Sequence, residues 1–548
     1  MNVAEAVGRT LAGLGVEAAF GVVGSGNFHV TKALVAVGTR FFAARNVGGA
    51  ATMADAYARV SGTVAALTVH QGCGLTNALT GITEAAKSRT PLVVLAAEST
   101  APRSNFAVDQ AALAVAVGAL AQRISSPETA VAQSAAAFRA ARDQRRTVLL
   151  NLPLELQARE VPEGALQVPP AVQVAVPATD PAAIAELVSA LAAARRPVFI
   201  AGRGARAHPA RDAIAELAER TGALLATSAV ARGLFRGNPW ALDVSGGFAS
   251  PLAAELITGA DLIIGWGCSM NMWTMRHGRL IGPDTVVAQV DIEAGELGAN
   301  RPIGVGIVGD AAAVAAAAVQ ALRQQDQRTS GYRSDQLQHR IAAEIPWRTV
   351  PYDDDSTDQL IDPRTLSIGL DSILPTERIL AVDSGNFMGY PSMFLSVPDE
   401  QGMCFTQAYQ SIGLGLATAI GAALARPDRL PVAALGDGGA LMGIAELDTV
   451  VRLGIPMAIV VYNDDGYGAE VHHFADSGEP LDTVTFPETD IAAIGAGFGC
   501  DAVTVRTPAD LEAVRAWVDG PRRRPLLVDA KVTRGQASWW LEEAFRGH

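Results

Sequence analysis

Two turns, Gly436-Asp437-Gly438 and Asn463-Asp464-Asp465-Gly466, each follow an apolar run, and Asp437 and Asp464 lie 27 residues apart. That separation is the length of one βαβ unit. Val432–Leu435 predicts a strand. Leu441, Ile444, Leu447 and Val450–Val451 recur at helical spacing, and Met457–Tyr462 is β-rich again. A helical crossover makes the two strands parallel, so both turns fall at the carboxyl edge of one sheet, where open α/β sheets bind ligands. Either turn alone fits any α/β domain with acidic loops. The pair, beside a glycine-rich turn opening a helix, suits Mg²⁺ holding a diphosphate.

A length of 548 residues predicts three to four domains. Apolar residues make up 49% but aromatics only 5%, so the expected cores are large and built of Ala, Val, Leu and Gly. No apolar run reaches the length of a membrane span, and the amino-terminal MNVAEAVGRT lacks a signal-peptide pattern. Cys73, Cys268, Cys404 and Cys500 form neither a metal spacing nor a disulfide framework, so the expected compartment is a reducing cytoplasm. A net charge of −13 argues against nucleic acid or an anionic membrane as partner.

The alternation of strand and helix signals predicts an α/β chain of three doubly wound parallel-sheet domains. The first spans 1–155, with strands at Ala18–Val23, Val64–Val69, Pro91–Ala97 and Val148–Leu152. A Pro/Val-rich connector follows at about 157–180. The second domain, 180–325, opens at RRPVFIAGRGAR and holds strands at Leu262–Gly265 and Val286–Ile292. The polar stretch from QQDQRTSGYRSDQLQHR to PYDDDSTDQ reads as a long linker to the third domain, 360–548.

The paired turns resemble the signature of thiamine diphosphate (ThDP) enzymes. The three-block layout resembles their acetolactate synthase, benzoylformate decarboxylase and glyoxylate carboligase branch. The resemblance implies a first domain that binds the cofactor pyrimidine, a central Rossmann-like domain and a third that binds the diphosphate. It implies metal ligation by Asp437, Asp464 and the carbonyl of Gly466. The family usually has Asn-Asn where this chain has Asn463-Asp464. Aspartate is still a hard oxygen ligand, so Mg²⁺ remains expected.

Residues 45–62, RNVGGAATMADAYARVSG, resemble the family segment running Arg-His-Glu, small residues, then Gly-Tyr-Ala-Arg. Arg45 and Ala56-Tyr57-Ala58-Arg59 set the register. Asn46 then replaces the histidine, and Val47 replaces the glutamate that hydrogen-bonds the pyrimidine and promotes its activating tautomer. Valine neither donates nor accepts. Glyoxylate carboligase shares this valine, and the resemblance does not extend from that to glyoxylate as substrate. Either activation is slower, or the chain binds ThDP with little catalysis.

Further candidates come from the same resemblance. Gly24-Ser25 matches a first-strand turn with a serine near the substrate carboxylate. His70, in VHQGCGLTNAL, matches an active-site histidine, and Gln110, in VDQAALAV, a glutamine facing the cofactor. His29, on the next helix, is equally a packing residue. Gly385-Asn386-Phe387 follows the strand Ile379–Val382 and should cradle the diphosphate, with Gly436, Gly438, Gly439, Ala440 and Tyr467 around it. Ile412 takes the position of the bulky residue that wedges between the two cofactor rings. Glu470, six residues past Asp464, matches a glutamate that works on substrate. His472 and His473 follow, and one of Glu470, His472 and His70 is the expected acid/base.

The implied reaction is ThDP- and Mg²⁺-dependent. A 2-oxo acid is decarboxylated to an enamine, which forms a C–C bond with a second carbonyl, as in acetolactate synthase. Release of an aldehyde is the alternative. FAD in the central domain is possible but not favoured, since GWGCSMNMWTMRHG lacks the expected flavin pattern. A nicotinamide dehydrogenase would need a fuller glycine motif than GRGAR. The implied partners are the small-molecule 2-oxo acid, a carbonyl acceptor and further copies of the chain, as a homodimer or homotetramer with sites at subunit interfaces. Trp539-Trp540 either closes over a site or packs at an interface.

Overall fold

The computed structural model describes residues 1–171 and 179–544. Part of the expected 157–180 connector and the last four residues lie outside the described residues. Three six-stranded sheets, every pairing parallel, bear out the α/β reading. The first contains β1 (Ala18–Gly21), β2 (Arg40–Ala43), β3 (Ala65–Val69), β4 (Leu92–Glu98), β5 (Leu120–Arg123) and β6 (Thr147–Pro153), in the order β2-β1-β3-β4-β6-β5. The second contains β7 (Pro197–Ala201), β8 (Leu224–Thr227), β9 (Ala241–Val244), β10 (Leu262–Trp266), β11 (Val286–Asp291) and β12 (Val305–Val308), in the order β12-β11-β10-β7-β8-β9. The third contains β13 (Arg378–Val382), β14 (Met403–Phe405), β15 (Leu430–Gly436), β16 (Ala458–Asn463), β17 (Asp501–Val505) and β18 (Leu526–Lys531), in the order β14-β13-β15-β16-β18-β17.

These orders fix where ligands bind. Strand order reverses between β1 and β3, between β7 and β10, and between β13 and β15. The crevice at each reversal opens beyond the carboxyl ends of those strands. Ser25 and His70 flank the first crevice, and Gly202 and Gly267 the second. Gly385 and Asp437 flank the third. The strands read as continuous apolar runs because helices cover both faces of every sheet.

The first and third domains share one core. The helix Val47–Ser61 lies against the helix Gly415–Ala425, and Ala50, Met53, Ala54 and Tyr57 pack with Leu416, Ala419, Ile420 and Ala423. Small residues let the helices approach closely. A Cβ on Gly421 would lie 2.2 Å from the Met53 carbonyl oxygen, which excludes any other residue there. The arrangement places Val47, the first residue of its helix, beside the third domain.

Two expectations are corrected. The helix after the first acidic turn is broken into Asp437–Met442 and Glu446–Arg452. Gly443 interrupts it where the chain passes the Gly413 carbonyl, and Leu441 is left 38% exposed rather than in the core. The break also turns Glu446 inward. The polar stretch expected as linker contains the helix Asp335–Glu344, capped by Ser334 and held to the central domain by buried Leu337 and Ile341.

Candidate active site

Asp437 begins the helix beyond β15 and is buried, while Asp464, just beyond β16, keeps some exposure. The N–H of Gly466 donates to Asp437 Oδ2 at 3.0 Å and closes the second turn onto the first. Burial, and then the facing Asp437, push the Asp464 carboxyl well above the ordinary range, and burial raises Asp437 as well. Two buried carboxylates turned toward each other are costly without a cation between them. The donor set of two hard oxygens and a backbone carbonyl therefore fits a divalent ion. The adjacent Asp465, held at φ +49°, is committed elsewhere: it pairs with Arg534. That leaves Asp437 and Asp464 as the carboxylates that would hold such an ion.

The β13–helix turn lies next to them. Gly385 sits at φ +140°, a conformation that favours glycine. Asn386 is buried. Its Oδ1 accepts from Ser538 N at 3.0 Å and its carbonyl from Trp540 Nε1 at 3.0 Å. Phe387 stacks on Tyr462 at 5.4 Å, and its ring covers Gly436. Gly438 lies under the Tyr467 ring, and Gly439 and Ala440 complete the first turn of the short helix. Trp540 thus packs inside this chain on the Gly385–Phe387 turn, in tilted contact with Trp273 of the central domain.

Ile412 is half-buried in the loop between β14 and the helix Gly415–Ala425. It lines a cavity of about 1110 Å³ together with Gly385, Gln407, Glu470 and Trp540. Glu470 opens the helix Gly468–Phe474 and faces this space. His472, on the same helix, is absent from the cavity wall, and burial lowers its pKa. Both polar ends of Gln407 are buried without a hydrogen-bond partner beside this cavity.

The cavity continues to the strand ends of the central sheet. Gly202 and Gly204 there serve the fold: their N–H groups donate to the carbonyls of Trp266 and Gly267 at 2.9 and 3.0 Å. They are not free to bind phosphate, so this turn lends no support to FAD.

The first-domain candidates gather at the other crevice. Gly26 N donates to His70 Nδ1 at 3.2 Å, and the Phe106 ring meets the imidazole edge-on at 5.3 Å. Burial lowers the His70 pKa, so the ring is neutral at pH 7 with its proton on Nε2. Ser25 is exposed at the tip of the same crevice, and His29 is exposed on the helix Phe28–Ala36. Gln110 is buried. Its Oε1 accepts from Gly72 N at 3.3 Å and its Nε2 donates to Asn151 Oδ1 at 2.6 Å. Its link to the crevice runs through the Gly72 turn. Asn46 caps the helix that Val47 begins, its Oδ1 accepting from Gly48 N at 2.8 Å. None of Ser25, Val47, His70 or Gln110 lines the cavity beside Ile412. Within one chain these first-domain candidates and the cavity residues Ile412 and Glu470 are therefore apart.

Buried carboxylates that the sequence did not single out join the first domain to the third. Glu446 accepts from Arg45 and Asn46, and Glu84 from Ala408 and Tyr409. The one available signal is an acid within an apolar helical face, as in ITEAA and GIAEL.

Three parallel six-stranded sheets, with an acidic pair and a glycine-bearing turn side by side at one switch point, give the fold and a candidate cofactor site. Family models agree. The N-terminal TPP binding domain of thiamine pyrophosphate enzymes matches residues 1–120, the central domain 184–319 and the C-terminal TPP binding domain 383–530. The chain belongs to the thiamine pyrophosphate enzyme family. It is 27% identical to the sulfoacetaldehyde acetyltransferase of Rhodobacter capsulatus, over 97% of this chain and 95% of that protein. It is 29% identical to a probable 2-ketoarginine decarboxylase of Pseudomonas aeruginosa, over 93% and 90%. A ThDP-dependent 4-hydroxybenzoylformate decarboxylase of Rhodococcus jostii has the same fold, with a TM-score of 0.81, 22% identity and coverage of 97% and 99%.

Proposed function

We propose that this chain is a ThDP- and Mg²⁺-dependent carboligase. It decarboxylates a 2-oxo acid and joins the remainder to a second carbonyl compound, in the manner of acetolactate synthase. The observation that carries this reading is that Ile412 and Glu470 share the wall of a cavity that is not closed off around them but continues toward the central sheet, leaving an approach for a second carbonyl compound. Full-length similarity to an acetyltransferase supports it. So does 27% identity to a probable acetolactate synthase large subunit of Methanocaldococcus jannaschii, over 85% of this chain and 81% of that protein.

In this reading Asp437, Asp464 and the Gly466 carbonyl hold Mg²⁺, and the turns at Gly385–Phe387 and Gly436–Ala440 hold the diphosphate. Tyr467 covers Gly438, and Ile412 separates the cofactor rings. Bound ThDP supplies the nucleophilic carbon and takes up the electrons that CO₂ leaves behind. His70 donates its Nε2 proton toward the substrate carbonyl oxygen. Ser25 binds the substrate carboxylate, and Gln110 sets the turn that carries His70. Glu470 accepts and returns the hydroxyl proton on the cavity side, with His472 behind it. Val47 keeps the pyrimidine end apolar, so activation proceeds without a carboxylate. The two groups of residues meet when a second copy brings its first domain to the third domain of this one, so a homodimer is the smallest active unit.

Simple decarboxylation to an aldehyde is the second reading, favoured by Glu470 as a proton source on the cavity wall. The test is product analysis by mass spectrometry with ThDP, Mg²⁺ and pyruvate, glyoxylate or phenylglyoxylate, with and without acceptor aldehydes. An acyloin supports the carboligase, and aldehyde alone supports the decarboxylase.

A further inference from the structure

We propose that Glu84, a buried glutamate of the first domain, is a positioning residue that holds Ile412 of the third domain in place within the same chain. This inference rests on the reading of Ile412 as the cofactor wedge.

The loop that carries Ile412 is anchored on both sides by carboxylates. After it, Asp383 accepts from Gly413 N at 3.0 Å and from Leu414 N at 3.3 Å. Before it, Glu84 accepts from Ala408 N at 3.1 Å and from Tyr409 N at 2.6 Å, across 324 and 325 residues of sequence. Between the two anchors the chain passes through Gln410 at φ +60°, which is unfavourable for a side-chain-bearing residue unless neighbours hold it there. Ile412 lies in this short span.

Glu84 is itself fixed. It projects from the helix Cys73–Lys87, is fully buried, and its Oε1 lies 2.7 Å from Arg59 Nη2 and accepts from Ser88 Oγ at 3.2 Å. Arg59 Nη1 also donates to the Phe405 carbonyl at 3.0 Å, the residue that enters the same loop. The first domain therefore grips the loop at Phe405, Ala408 and Tyr409. Burial works against the charge on Glu84. Arg59 and the two loop N–H groups outweigh it and keep the carboxyl below the ordinary range. Asp55, Arg59 and Glu84 all lie in the first domain, so their ion pairs hold Glu84 in place, and the Ala408 and Tyr409 N–H groups are what it grips across the domain boundary.

The test is a double-mutant cycle read by calorimetric titration of ThDP with Mg²⁺, on the full chain. Glu84→Gln is expected to weaken ThDP binding about tenfold, the scale of one charge-assisted hydrogen bond. Ile412→Ala is expected to weaken it as well, and the double variant to bind within about twofold of Ile412→Ala. Multiplying effects, or a Glu84→Gln affinity equal to wild type, overturn the proposal. Glu84→Asp guards against misfolding, since it keeps the charge for Arg59 but draws the carboxylate back from the loop. It is expected to speed hydrogen exchange in residues 405–412 while the melting temperature stays within a few degrees; unchanged exchange there overturns the proposal. Wild-type protein that binds no ThDP would sink the cofactor reading itself and this inference with it. Binding with an additive cycle sinks only the inference.

Discussion

The Glu446 carboxylate of the third domain accepts the backbone N–H of Asn46, in the first domain, at 2.8 Å. It also accepts from Arg45 N at 3.2 Å and from Thr449 Oγ1 at 2.6 Å, and is only 2% exposed. A Cβ on Gly49 would lie 2.5 Å from its Oε1, so the start of the Val47 helix is built around this group. Removing a buried acceptor leaves those N–H groups unpaired, at about 2–3 kcal/mol. Glu446→Ala should lower the melting temperature measurably, and Glu446→Gln, which keeps one acceptor oxygen, should lower it less. Calorimetry of the two variants checks the order.

By the resemblance of residues 45–62 to the family segment, Val47 stands where a carboxylate is expected. It begins a helix, where an acidic side chain is favoured by the helix dipole. Val47→Glu should therefore fold and bind ThDP. It should also raise the rate of hydrogen–deuterium exchange at C2 of the bound cofactor by about 10²-fold or more, the low end of positioned acid–base effects. Quenched-flow NMR of the cofactor measures that rate.

Much of this architecture was legible in the sequence, for identifiable reasons. Apolar runs ending in Gly-Asp-Gly and Asn-Asp-Asp-Gly give parallel strands and place Asp437 and Asp464 on one edge. Asn46 was legible as the residue before the helix, and its capping bond follows from its chemistry. The cross-domain contacts of Glu84 and Glu446 were not legible, because those partners lie more than 300 residues away and are backbone groups with no sequence signature. Gln110 could be placed near the cofactor by resemblance, yet only packing shows both its ends engaged. The break at Gly443 and the helix Asp335–Glu344 were missed because tertiary approach, in one case, and only two buried apolar residues, in the other, decide them.

The Asp437–Asp464 pair makes a prediction with a definite sign. Carboxyls raised by burial favour the folded state when protonated, so their contribution is present below the unfolded pKa and is lost as pH rises through the raised values. Asp464→Asn should stabilise the metal-free protein at pH 8 by about 1–3 kcal/mol, and by less at pH 5. Added ThDP and Mg²⁺ should then raise the melting temperature of wild type more than that of Asp464→Asn. Scanning calorimetry at the two pH values, with and without MgCl₂, reads both effects.

His70 is neutral at pH 7 because burial lowers its pKa and Gly26 N–H donates to Nδ1. Protonation breaks that hydrogen bond, so kcat/KM should fall on the acid side, with a limb below the ordinary histidine pKa. His70→Ala should reduce turnover about 10²–10⁴-fold and abolish the limb. A pH–rate profile of both proteins tests this.

The most direct measurement is release of labelled CO₂ from a panel of 1-¹⁴C 2-oxo acids, made on purified protein with ThDP and Mg²⁺ and repeated with either omitted. The account predicts CO₂ from at least one acid, lost when ThDP is omitted and lost again in Asp437→Ala. CO₂ release that continues without ThDP, or none from any acid while ThDP is bound, would contradict it.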